Sequence, residues 1–471
     1  MREISLVEVA EAVGGRLLDQ NGAATPVTAV VTDSRLASPG SLFVAIAGDR
    51  TDGHQHADQA FSAGAVAVLA ERPLAGPTIL VADTVVAVGR LAAHQLDVLR
   101  GSGRPEVIGI TGSVGKTSTK DLLAQLLEGM GQTVYPPGSF NNDLGLPMTV
   151  LRCDEQTRYL LLEYGARGLG HIRRLTEVAS PQVGVVLGVG TSHLGEFGSV
   201  EAIAQAKSEL VAALPAAEDG GVAVLNADDP RVTAMERRTT ARVRTFGLGP
   251  GADVRASAVT LDDDARPSFR LHAAGDSAPV SLQLLGEPAV MHALATAAVA
   301  LELGCPLDVV AAGLGSAVAR SSGRLALTET PDGVGVLDDT YNASPESMAA
   351  GLRTLVRLAA GRGVTIRTWA VLGEMRELGA SSVTEHLRVG RLATELGVDR
   401  VVAVGEAARA IQRGALDAGM GAEAVLVPDA ATATAVLREQ ARSGDLVLVK
   451  ASRAVGLERV VAALMDPAGR S

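Results

Sequence analysis

Residues 107–131 read VIGITGSVGKTSTKDLLAQLLEGMG, which combines an apolar strand, a glycine turn and an amphipathic helix. This order is the context that a phosphate-binding loop requires. Backbone N–H groups of the turn can point at phosphates, and the N-terminus of the helix adds positive potential. We therefore predict that a nucleotide is bound by Gly112, Ser113, Gly115, Lys116, Thr117 and Ser118.

The glycine spacing of this loop is shorter than in the common GxxxxGK[ST] pattern. Position 110 is Ile110 instead of glycine, and the nearest glycine is Gly109, so the loop is a GxxGKT variant. In such a loop Lys116 reaches the outer phosphates and the Thr117 hydroxyl faces Mg²⁺, so ATP and Mg²⁺ are the expected cofactors. The alternative is an accidental glycine turn. Nucleotide binding alone does not separate a hydrolase, a kinase and a ligase.

Lysine is rare in this chain. Of the 42 basic residues, only Lys116, Lys120, Lys207 and Lys450 are lysines. Because arginine serves almost everywhere else, each lysine is a candidate for a position that needs a compact, deprotonatable amine. The alternative for each position is that the lysine has no special role and was retained by chance.

Length and composition exclude several classes of protein. The chain has 471 residues, 47% of them hydrophobic, and a net charge of −11 without a long basic tract, which argues against nucleic acid as a partner. The first residues, MREISLVEVAEAVGG, lack the apolar region of a signal peptide, and no run approaches the roughly 20 apolar residues of a membrane span. The two cysteines, Cys153 and Cys305, are far apart and suit a reduced compartment. We therefore expect a cytoplasmic protein without a membrane span.

The alternation of strand-like and helical segments predicts an α/β protein of three domains. Residues 1–103 contain short apolar runs broken by Gly, Pro and Asp, which indicates a small mixed α/β domain. Residues 104–322 combine the phosphate loop with a mostly parallel sheet. The further strands predicted there are 159–163, 183–189 and 222–225, with shorter β-like pieces at 251–285 and a helix at 289–303. Residues 323–471 contain five more strand-like runs, typical of a doubly wound, Rossmann-like domain.

Three polar residues accompany the strands of the central segment. Glu163 ends one strand and His193 follows the next, so both fall at the carboxyl edge of the predicted sheet, where a carboxylate can hold Mg²⁺. A structural ion pair for Glu163 and a hydrogen-bonded loop residue for His193 are the alternatives. Lys207 lies on a largely apolar helix. A desolvated lysine can react with CO₂ to form a carbamate, an anionic ligand for a second Mg²⁺, although a surface lysine is equally compatible.

Further motifs, in order along the chain, make this sequence similar to the Mur ligase family, which builds the peptide stem of the bacterial cell wall. These motifs are TDSR (32–35), SLFVAIAGDRTDGH (41–54), TGSVGKTSTKD (111–121), GSFNNDLGLP (138–147), LEYGARGLGHI (162–172), GTSHLGEFGS (190–199), AQAKSEL (204–210), LNADDP (225–230), GRL (323–325), DDTYNASPES (338–347), LGEMRELG (372–379) and VKASR (449–453). The FNNDLGLP and YNASPES segments resemble the members that add D-alanyl-D-alanine to a UDP-N-acetylmuramoyl-tripeptide.

The resemblance implies a monomeric, ATP-dependent ligase that activates a carboxylate as an acyl-phosphate and joins it to an amine. Its three domains would bind the UDP-muramoyl peptide, ATP and the incoming dipeptide. Catalytic roles are implied for Lys116, Glu163, His193 and Lys207, with Mg²⁺ held by Thr117, Glu163, His193 and carbamylated Lys207. Contacts to the nucleotide are implied for His292, Arg324 and Asp339, and contacts to the substrates for Asp33, Ser34, Arg35, Asn141, Asn142, Arg167, Tyr341, Asn342 and Ser344.

The sequence departs from the family pattern at several positions. Residues 288–293 are PAVMHA where the family carries an HNVxNA-like stretch, and Gly188, Tyr164 and Ser344 replace commoner residues. These changes leave open a diverged ligase that joins other amino-acid or carboxylate and amine substrates. They also leave open a nucleotide-gated regulatory protein without turnover, whereas the N-terminal TDSR and DGH segments argue against a folate-type polyglutamyl ligase. The third residue of the acceptor tripeptide is left open as well.

Overall fold

The computed structural model describes residues 1–19, 22–48, 51–363 and 366–466. Within these residues the chain forms sheets of five, nine and six strands and one two-stranded ribbon. Most strand pairs are parallel and helices lie between them in sequence, so the predicted α/β fold class is confirmed. The domain boundaries after residues 103 and 322 remain predictions.

The N-terminal region contains the two-stranded ribbon and the five-stranded sheet. Its strands are β1 (Ile4–Ser5), β2 (Arg16–Leu17), β3 (Pro26–Val27), β4 (Ala29–Val31), β5 (Ser41–Val44), β6 (Ala67–Ala70) and β7 (Thr78–Leu80), and its helices are α1 (Leu6–Val13), α2 (Ala57–Ser62) and α3 (Thr84–Arg100). The sheet order is β2-β7-β6-β5-β4, with β2 antiparallel to β7 and the other pairs parallel. This arrangement is the mixed sheet that the short apolar runs predict.

The central region contains the nine-stranded sheet. Its strands are β8 (Glu106–Thr111), β9 (Thr133–Val134), β10 (Tyr159–Glu163), β11 (Val183–Val186), β12 (Val222–Asn226), β13 (Arg242–Gly247), β14 (Val254–Leu261), β15 (Pro267–Ala273) and β16 (Asp276–Ser281). Its helices are α4 (Lys116–Glu128), α5 (Gly145–Val150), α6 (His171–Val178), α7 (Leu194–Phe197), α8 (Val200–Ala212), α9 (Pro230–Thr233), α10 (Pro288–Glu302) and α11 (Leu307–Ser316). The order is β16-β15-β14-β13-β12-β11-β8-β10-β9, parallel from β9 to β14.

The strand β8 lies between β10 and β11 and is buried on both faces. Its residues Ile108 and Ile110 pack into one core, and Val107 packs into the core on the other side of the sheet. Burial on both faces explains why β8 and β10 read as continuous apolar runs instead of alternating ones. The interior position of β8 places the loop that follows it at the carboxyl edge of the parallel part of the sheet, where ligands bind in open parallel sheets.

The C-terminal region contains the six-stranded sheet. Its strands are β17 (Ala326–Glu329), β18 (Gly335–Asp338), β19 (Thr368–Gly373), β20 (Arg400–Val404), β21 (Ala424–Val427) and β22 (Leu446–Lys450), and its helices are α12 (Pro345–Arg362), α13 (Ser382–Glu395), α14 (Arg409–Asp417), α15 (Ala430–Gln440) and α16 (Glu458–Met465). The order is β17-β18-β22-β19-β20-β21, parallel except for β17. The prediction of five strand runs missed β17 because this edge strand is partly exposed and lacks an apolar run.

The turn between β14 and β15 (residues 262–266) anchors the C-terminal region to the central sheet. Ala265 is fully buried within the apolar core that is otherwise built from C-terminal residues and Leu285. Arg357 donates from Nη2 to the carbonyl oxygens of Leu261 and Asp262 at 2.6 and 3.1 Å. A Cβ atom at Gly361 would lie 2.1 Å from the carbonyl oxygen of Asp263, so helix α12 approaches this turn too closely for any side chain there.

Across the described residues, every helix falls short of the length and apolarity that crossing a bilayer demands.

Candidate active site

The loop between β8 and α4 has the backbone of a phosphate-binding turn. Gly115 lies in the left-handed region with φ of +87°, and a Cβ atom there would be 2.6 Å from Nε2 of His292. A Cβ atom at Gly112 would be 2.9 Å from Cβ of Leu187. Both glycines are therefore required by close neighbours, which an accidental turn does not explain.

The amine of Lys116 is held over this loop. Its Nζ donates to the carbonyl oxygen of Gly112 at 2.6 Å, and no carboxylate of the described residues forms an ion pair with it. Burial lowers the pKa of Lys116, and the charge of Glu163 opposes this shift. A cation without a carboxylate partner at the N-terminus of a helix is suited to an anionic ligand.

Thr117 connects the phosphate loop to the C-terminal region. Its side chain is buried, and its Oγ1 accepts a hydrogen bond from Nη2 of Arg324 at 3.0 Å. The Arg324 guanidinium lies 4.0 Å from the centroid of the Tyr341 ring. The structure therefore brings together a predicted phosphate residue, a predicted nucleotide residue and a predicted substrate residue.

Glu163 lies at the carboxyl end of β10 and is fully buried. Its Oε2 accepts hydrogen bonds from Oγ of Ser139 at 3.0 Å and from Nδ2 of Asn141 at 3.4 Å. Its Oε1 is buried and has no hydrogen-bond partner in the part of the chain that the structure describes. A buried carboxylate oxygen without a partner is costly, and Mg²⁺ would satisfy it, so the residues present fit a metal ion here.

Lys207 lies on α8 and is only 5% exposed. Within the described ranges its amine has no hydrogen bond or ion pair. Burial, and then the charge of Lys116, lowers the pKa of Lys207 well below its usual value. The amine is therefore held towards its neutral, nucleophilic form, which excludes the alternative of a surface lysine.

His193 follows β11 and adopts a left-handed backbone with φ of +62°. The predicted strand 183–189 ends at Val186, because the next residues leave the sheet and form the edge loop: Gly188 accepts at its carbonyl oxygen from the Ser113 N–H at 3.0 Å. No hydrogen bond or ion pair of the described residues joins His193 to Glu163.

The acidic groups that Nδ1 of His193 contacts are Oε2 of Glu377 and, at 3.7 Å, Oε2 of Glu196. The ring is in ion-pair contact with Glu377 but is not aligned for a regular hydrogen bond. This contact is the largest of the causes that lower the pKa of Glu377. Glu377 lies within the motif LGEMRELG (372–379), but no role was predicted for it from the sequence.

The ring of His292 lies against Gly115, so the structure places this predicted nucleotide residue at the phosphate loop. Burial, and then the charge of Arg324, lowers the pKa of His292 to about 4. The ring is therefore neutral at pH 7 and can offer a hydrogen bond without adding charge.

The predicted nucleotide residue Asp339 pairs with a residue that sequence reasoning left without a role. Lys450 is buried and donates from Nζ to Oδ2 of Asp339 at 2.5 Å and to the carbonyl oxygen of Asn342 at 2.9 Å. Lys120 is equally buried and donates to the carbonyl oxygens of Pro136 and Gly138. The rarity of lysine was the signal that could have found both.

Two predicted substrate residues cap helices. Oδ1 of Asn142 accepts from the Gly145 N–H at the start of α5, and Ser344 forms a capping box with Ser347 at the start of α12. Ser344 is buried, and its side chain forms the N-terminal cap of α12. The substrate contacts of both residues remain predictions.

Among the other predicted substrate residues, Arg35 is largely exposed, whereas Ser34 is buried. Arg35 forms an ion pair with Asp33 at 2.7 Å, and Ser34 donates to Oε1 of Gln59, all within the N-terminal region. Arg167 is mostly exposed, and its Nη2 lies 3.9 Å from Oε1 of Glu377. Asp33, Arg35 and Arg167 are accessible to a ligand, and within the described residues no hydrogen bond or ion pair joins the N-terminal set to the phosphate loop.

The departure at Tyr164 has a structural reason. A Cβ atom at Gly109 would lie 2.7 Å from the Tyr164 ring, which therefore fills the space beside this glycine. The Tyr164 hydroxyl donates to the carbonyl oxygen of Ala179, and burial raises the pKa of the phenol. Tyr164 therefore packs against β8, the neighbour of the strand that ends at Glu163, and has a structural role.

Comparisons with known proteins agree with this geometry along the chain. The model of the Mur ligase middle domain matches residues 110–300, that of the Mur ligase, glutamate ligase domain matches 323–453, and that of the Mur ligase family, catalytic domain matches 26–94.

The similar proteins match over nearly their full length. The UDP-N-acetylmuramoyl-tripeptide–D-alanyl-D-alanine ligase of Mycobacterium tuberculosis is 46% identical, over 99% of this chain and 98% of the relative. The enzyme of the same name from Escherichia coli is 34% identical over 99% of both chains. A crystal structure of MurF from Acinetobacter baumannii is 32% identical with a TM-score of 0.86 over 99% of both chains. MurF from Thermotoga maritima in complex with ADP is 30% identical with a TM-score of 0.78, over 93% of this chain and 97% of that one. The chain therefore belongs to the Mur ligase family.

Proposed function

We propose that this chain is an ATP-dependent ligase that joins D-alanyl-D-alanine to UDP-N-acetylmuramoyl-tripeptide in the synthesis of peptidoglycan precursors. The observation that carries the proposal is the unpartnered Oε1 of buried Glu163 beside a phosphate loop with an unpaired Lys116. The names of the relatives at 46% and 34% identity supply the substrates. None of them supports a diverged ligase with other substrates.

The chain's own residues define how ATP would be held. When bound, Mg²⁺ would neutralise charge on the phosphoryl oxygens during transfer. Glu163, Thr117 and His193 are the residues that would hold it. The Lys116 amine, which donates to the carbonyl oxygen of Gly112, and the N–H groups at the start of α4 would surround the outer phosphates. His292 and Arg324 close the loop from the other side.

The reaction would proceed in two steps. A carboxylate oxygen of the tripeptide attacks the γ-phosphorus, forms an O–P bond and displaces ADP, which leaves with the bonding electron pair. The amine of D-alanyl-D-alanine then attacks the acyl carbon, the C–O bond to phosphate breaks, and the amine proton passes to solvent. Lys116 lowers the barrier of the first step because its charge lies where negative charge develops.

Lys207 would act as a carbamate. Its neutral amine adds to CO₂, a C–N bond forms and one proton is released, which converts a buried, unpaired amine into an anion near Lys116. The carbamate would attract the Lys116 cation, which a neutral amine cannot do, and would supply oxygen ligands for a second Mg²⁺. An arginine could not undergo it, because its pKa is too high.

Water must be kept from the acyl-phosphate, and the junction between the central and C-terminal regions serves this purpose. Arg324, Tyr341 and Asn342 reach the junction from the C-terminal region, where the dipeptide is expected. The roles of Asp33, Ser34 and Arg35 towards the UDP group, the monomeric state and the cytoplasmic location complete the proposal.

The test is a coupled phosphate-release assay with mass spectrometry of the product. Phosphate release should require ATP, a UDP-muramoyl tripeptide and D-alanyl-D-alanine together, and the product should carry the mass of the pentapeptide. A panel with meso-diaminopimelate or L-lysine as the third residue identifies the natural acceptor. Equal phosphate release with an unrelated carboxylate and amine contradicts the proposal.

A further inference from the structure

We infer that Glu377 is a positioning residue for His193, which it holds through Nδ1 so that Nε2 is the nitrogen left for a metal ion. The inference rests on the proposed function, in which His193 is a Mg²⁺ ligand. Glu377 belongs to the C-terminal region and His193 to the edge loop of the central sheet. The metal site would therefore be complete only when the C-terminal region is docked.

The contact itself joins a carboxylate to one nitrogen of the ring. Oε2 of Glu377 touches Nδ1 of His193, and no protein group of the described ranges bonds Nε2. A metal-binding histidine commonly gives its second ring N–H to a carboxylate, which fixes the tautomer and makes the ligating nitrogen more basic. Glu377 has the chemistry and the place for this role, since its Oε2 makes an ion-pair contact with Nδ1, although the ring is not aligned for a regular hydrogen bond here.

Both partners hold backbone conformations that side chains rarely adopt. His193 has φ of +62° and Glu377 has φ of +67°. A left-handed backbone is unfavourable at a non-glycine residue and persists where the surrounding structure imposes it. Its occurrence at both ends of one contact indicates that the two loops are shaped for each other.

The backbones of the two loops also meet directly. The Gly195 N–H donates to the carbonyl oxygen of Glu377 at 2.7 Å. A Cβ atom at Gly195 would be 2.6 Å from the backbone nitrogen of Gly379, so a side chain at this position would separate the loops. Thr191, in the same edge loop as His193, is linked to helix α12 of the C-terminal region, since its N–H and hydroxyl donate to Oε1 of Glu346 at 2.9 and 2.8 Å.

The loop that carries Glu377 is hydrogen-bonded to other parts of the C-terminal region. The Met375 N–H donates to Nε2 of buried His386 at 2.8 Å, and the Arg376 N–H donates to Oγ of Ser452 at 2.9 Å. Glu377 is therefore presented by a rigid loop and not by a mobile side chain alone. Loss of its carboxylate should act on His193 and leave the loop in place.

The test measures the binding of Mn²⁺, as a stand-in for Mg²⁺, to the full-length enzyme in the presence of a non-hydrolysable ATP analogue. Electron paramagnetic resonance gives the affinity from the free Mn²⁺ signal, and pulsed spectra report coupling to a histidine nitrogen. Glu377→Gln should weaken Mn²⁺ binding about tenfold, the effect typical of a lost outer-shell partner. His193→Gln identifies the coupling that belongs to His193.

Glu374→Gln is the matched control, because Glu374 lies in the same loop and, among the described residues, its side chain pairs only with Arg376. It should bind Mn²⁺ as the unmodified enzyme does. Glu377→Gln should also keep the unfolding temperature of the unmodified enzyme, which separates positioning from misfolding.

Unchanged Mn²⁺ affinity in Glu377→Gln overturns the inference. It is equally overturned if Glu196→Gln abolishes the histidine coupling, because the cation would then lie among His193, Glu196 and Glu377, whose ligand atoms are within 4.8 Å of one another. Failure of the proposed function is a separate result: the unmodified enzyme would make no amide, whatever its Mn²⁺ affinity.

Discussion

Predicted ligand residues lie both at the carboxyl edge of the central sheet and in the Asp33–Arg35 segment of the N-terminal region. The two regions differ in whether their charged groups are buried and whether they have partners. At the central edge, buried Glu163 keeps an oxygen without a partner, and buried Lys207 has no partner within the described residues. At the N-terminal segment, Arg35 and Asp33 neutralise each other in solvent. Buried charge without a partner marks a place that a ligand completes, whereas a solvated pair marks nothing by itself.

The largest effect is expected from the phosphate loop. Lys116→Ala should lower kcat about 1000-fold or more, because it removes the charge that stabilises the transferring phosphoryl group. Lys116→Arg should be similarly impaired, since the guanidinium is too large for the turn that Gly112 and Gly115 form. The coupled phosphate-release assay measures both variants. Undiminished amide synthesis by Lys116→Ala would show that the central edge is not the catalytic one.

A change at Glu163 should separate activity from stability. Glu163→Gln should lower kcat about 100-fold and raise the Mg²⁺ concentration needed for half-maximal rate. The ligand-free variant should unfold at a higher temperature than the unmodified protein, because a buried carboxylate with an unpartnered oxygen is replaced by a neutral amide. Differential scanning calorimetry without nucleotide checks this. A lower unfolding temperature would mean that Oε1 is satisfied within the protein.

Lys207→Ala should lower kcat about 100-fold, and formate or acetate should restore part of the rate by supplying the missing carboxylate oxygens. Lys207→Gln is the matched control, since its side chain fills the space that the small acid would need. No rescue in Lys207→Ala, together with a ¹³CO₂ spectrum without a carbamate signal, would contradict the carbamate.

The same lysine gives a pH dependence of stability. Its pKa is lowered in the folded state, so the unfolded state binds more protons between that lowered pKa and about 10.4. In CO₂-free buffer the stability of the unmodified protein relative to Lys207→Met should therefore rise with pH across this window. Urea unfolding at several pH values measures it, and parallel curves would show that the amine is solvated.

The smallest effect is expected at the N-terminal pair. Arg35→Ala should leave the unfolding temperature unchanged, because the pair is solvated. If Arg35 binds the UDP group, KM for the UDP-muramoyl peptide should rise about tenfold with kcat unchanged, the signature of a lost charged hydrogen bond in uniform binding. The same measurement on Asp33→Asn tests whether Asp33, the ion-pair partner of Arg35, contributes to binding of the UDP-muramoyl peptide. A change in kcat would place the segment closer to the reaction than its geometry indicates.

Much of the central edge could be predicted from the sequence, because strand ends are visible in it. The strand that ends at Glu163 was predicted at its observed bounds, and parallel pairing brings the ends of neighbouring strands to one edge. The strand β13 was missed because its residues Arg242–Gly247 alternate polar and apolar side chains and are half exposed. Short interior strands such as β13 escape a search for continuous apolar runs.

The partnership of His193 with Glu377 could not be predicted. It depends on two loops 184 positions apart, each with a left-handed residue that no local pattern announces. The caps made by Asn142 and Ser344 were hidden for a related reason, since the same side chain can serve a helix or a ligand. By contrast, the buried contacts of Lys120 and Lys450 were within reach of the argument from rare lysines.

Helix α12 has the dimensions of a lever. It is 18 residues long, which spans about 27 Å at 1.5 Å per residue. Near its C-terminal end, Arg357 and Gly361 are fastened to the turn between β14 and β15, while Glu346 at the opposite end reaches Thr191 beside His193. Glu346 lies about 16–22 Å along the helix from these contacts, so a swing of 10° about the fastened end would carry it through roughly 3–4 Å, more than a hydrogen bond tolerates. A small rotation of helix α12 about the contacts near its C-terminal end would therefore break the link between Glu346 and Thr191, which lies in the loop that carries His193.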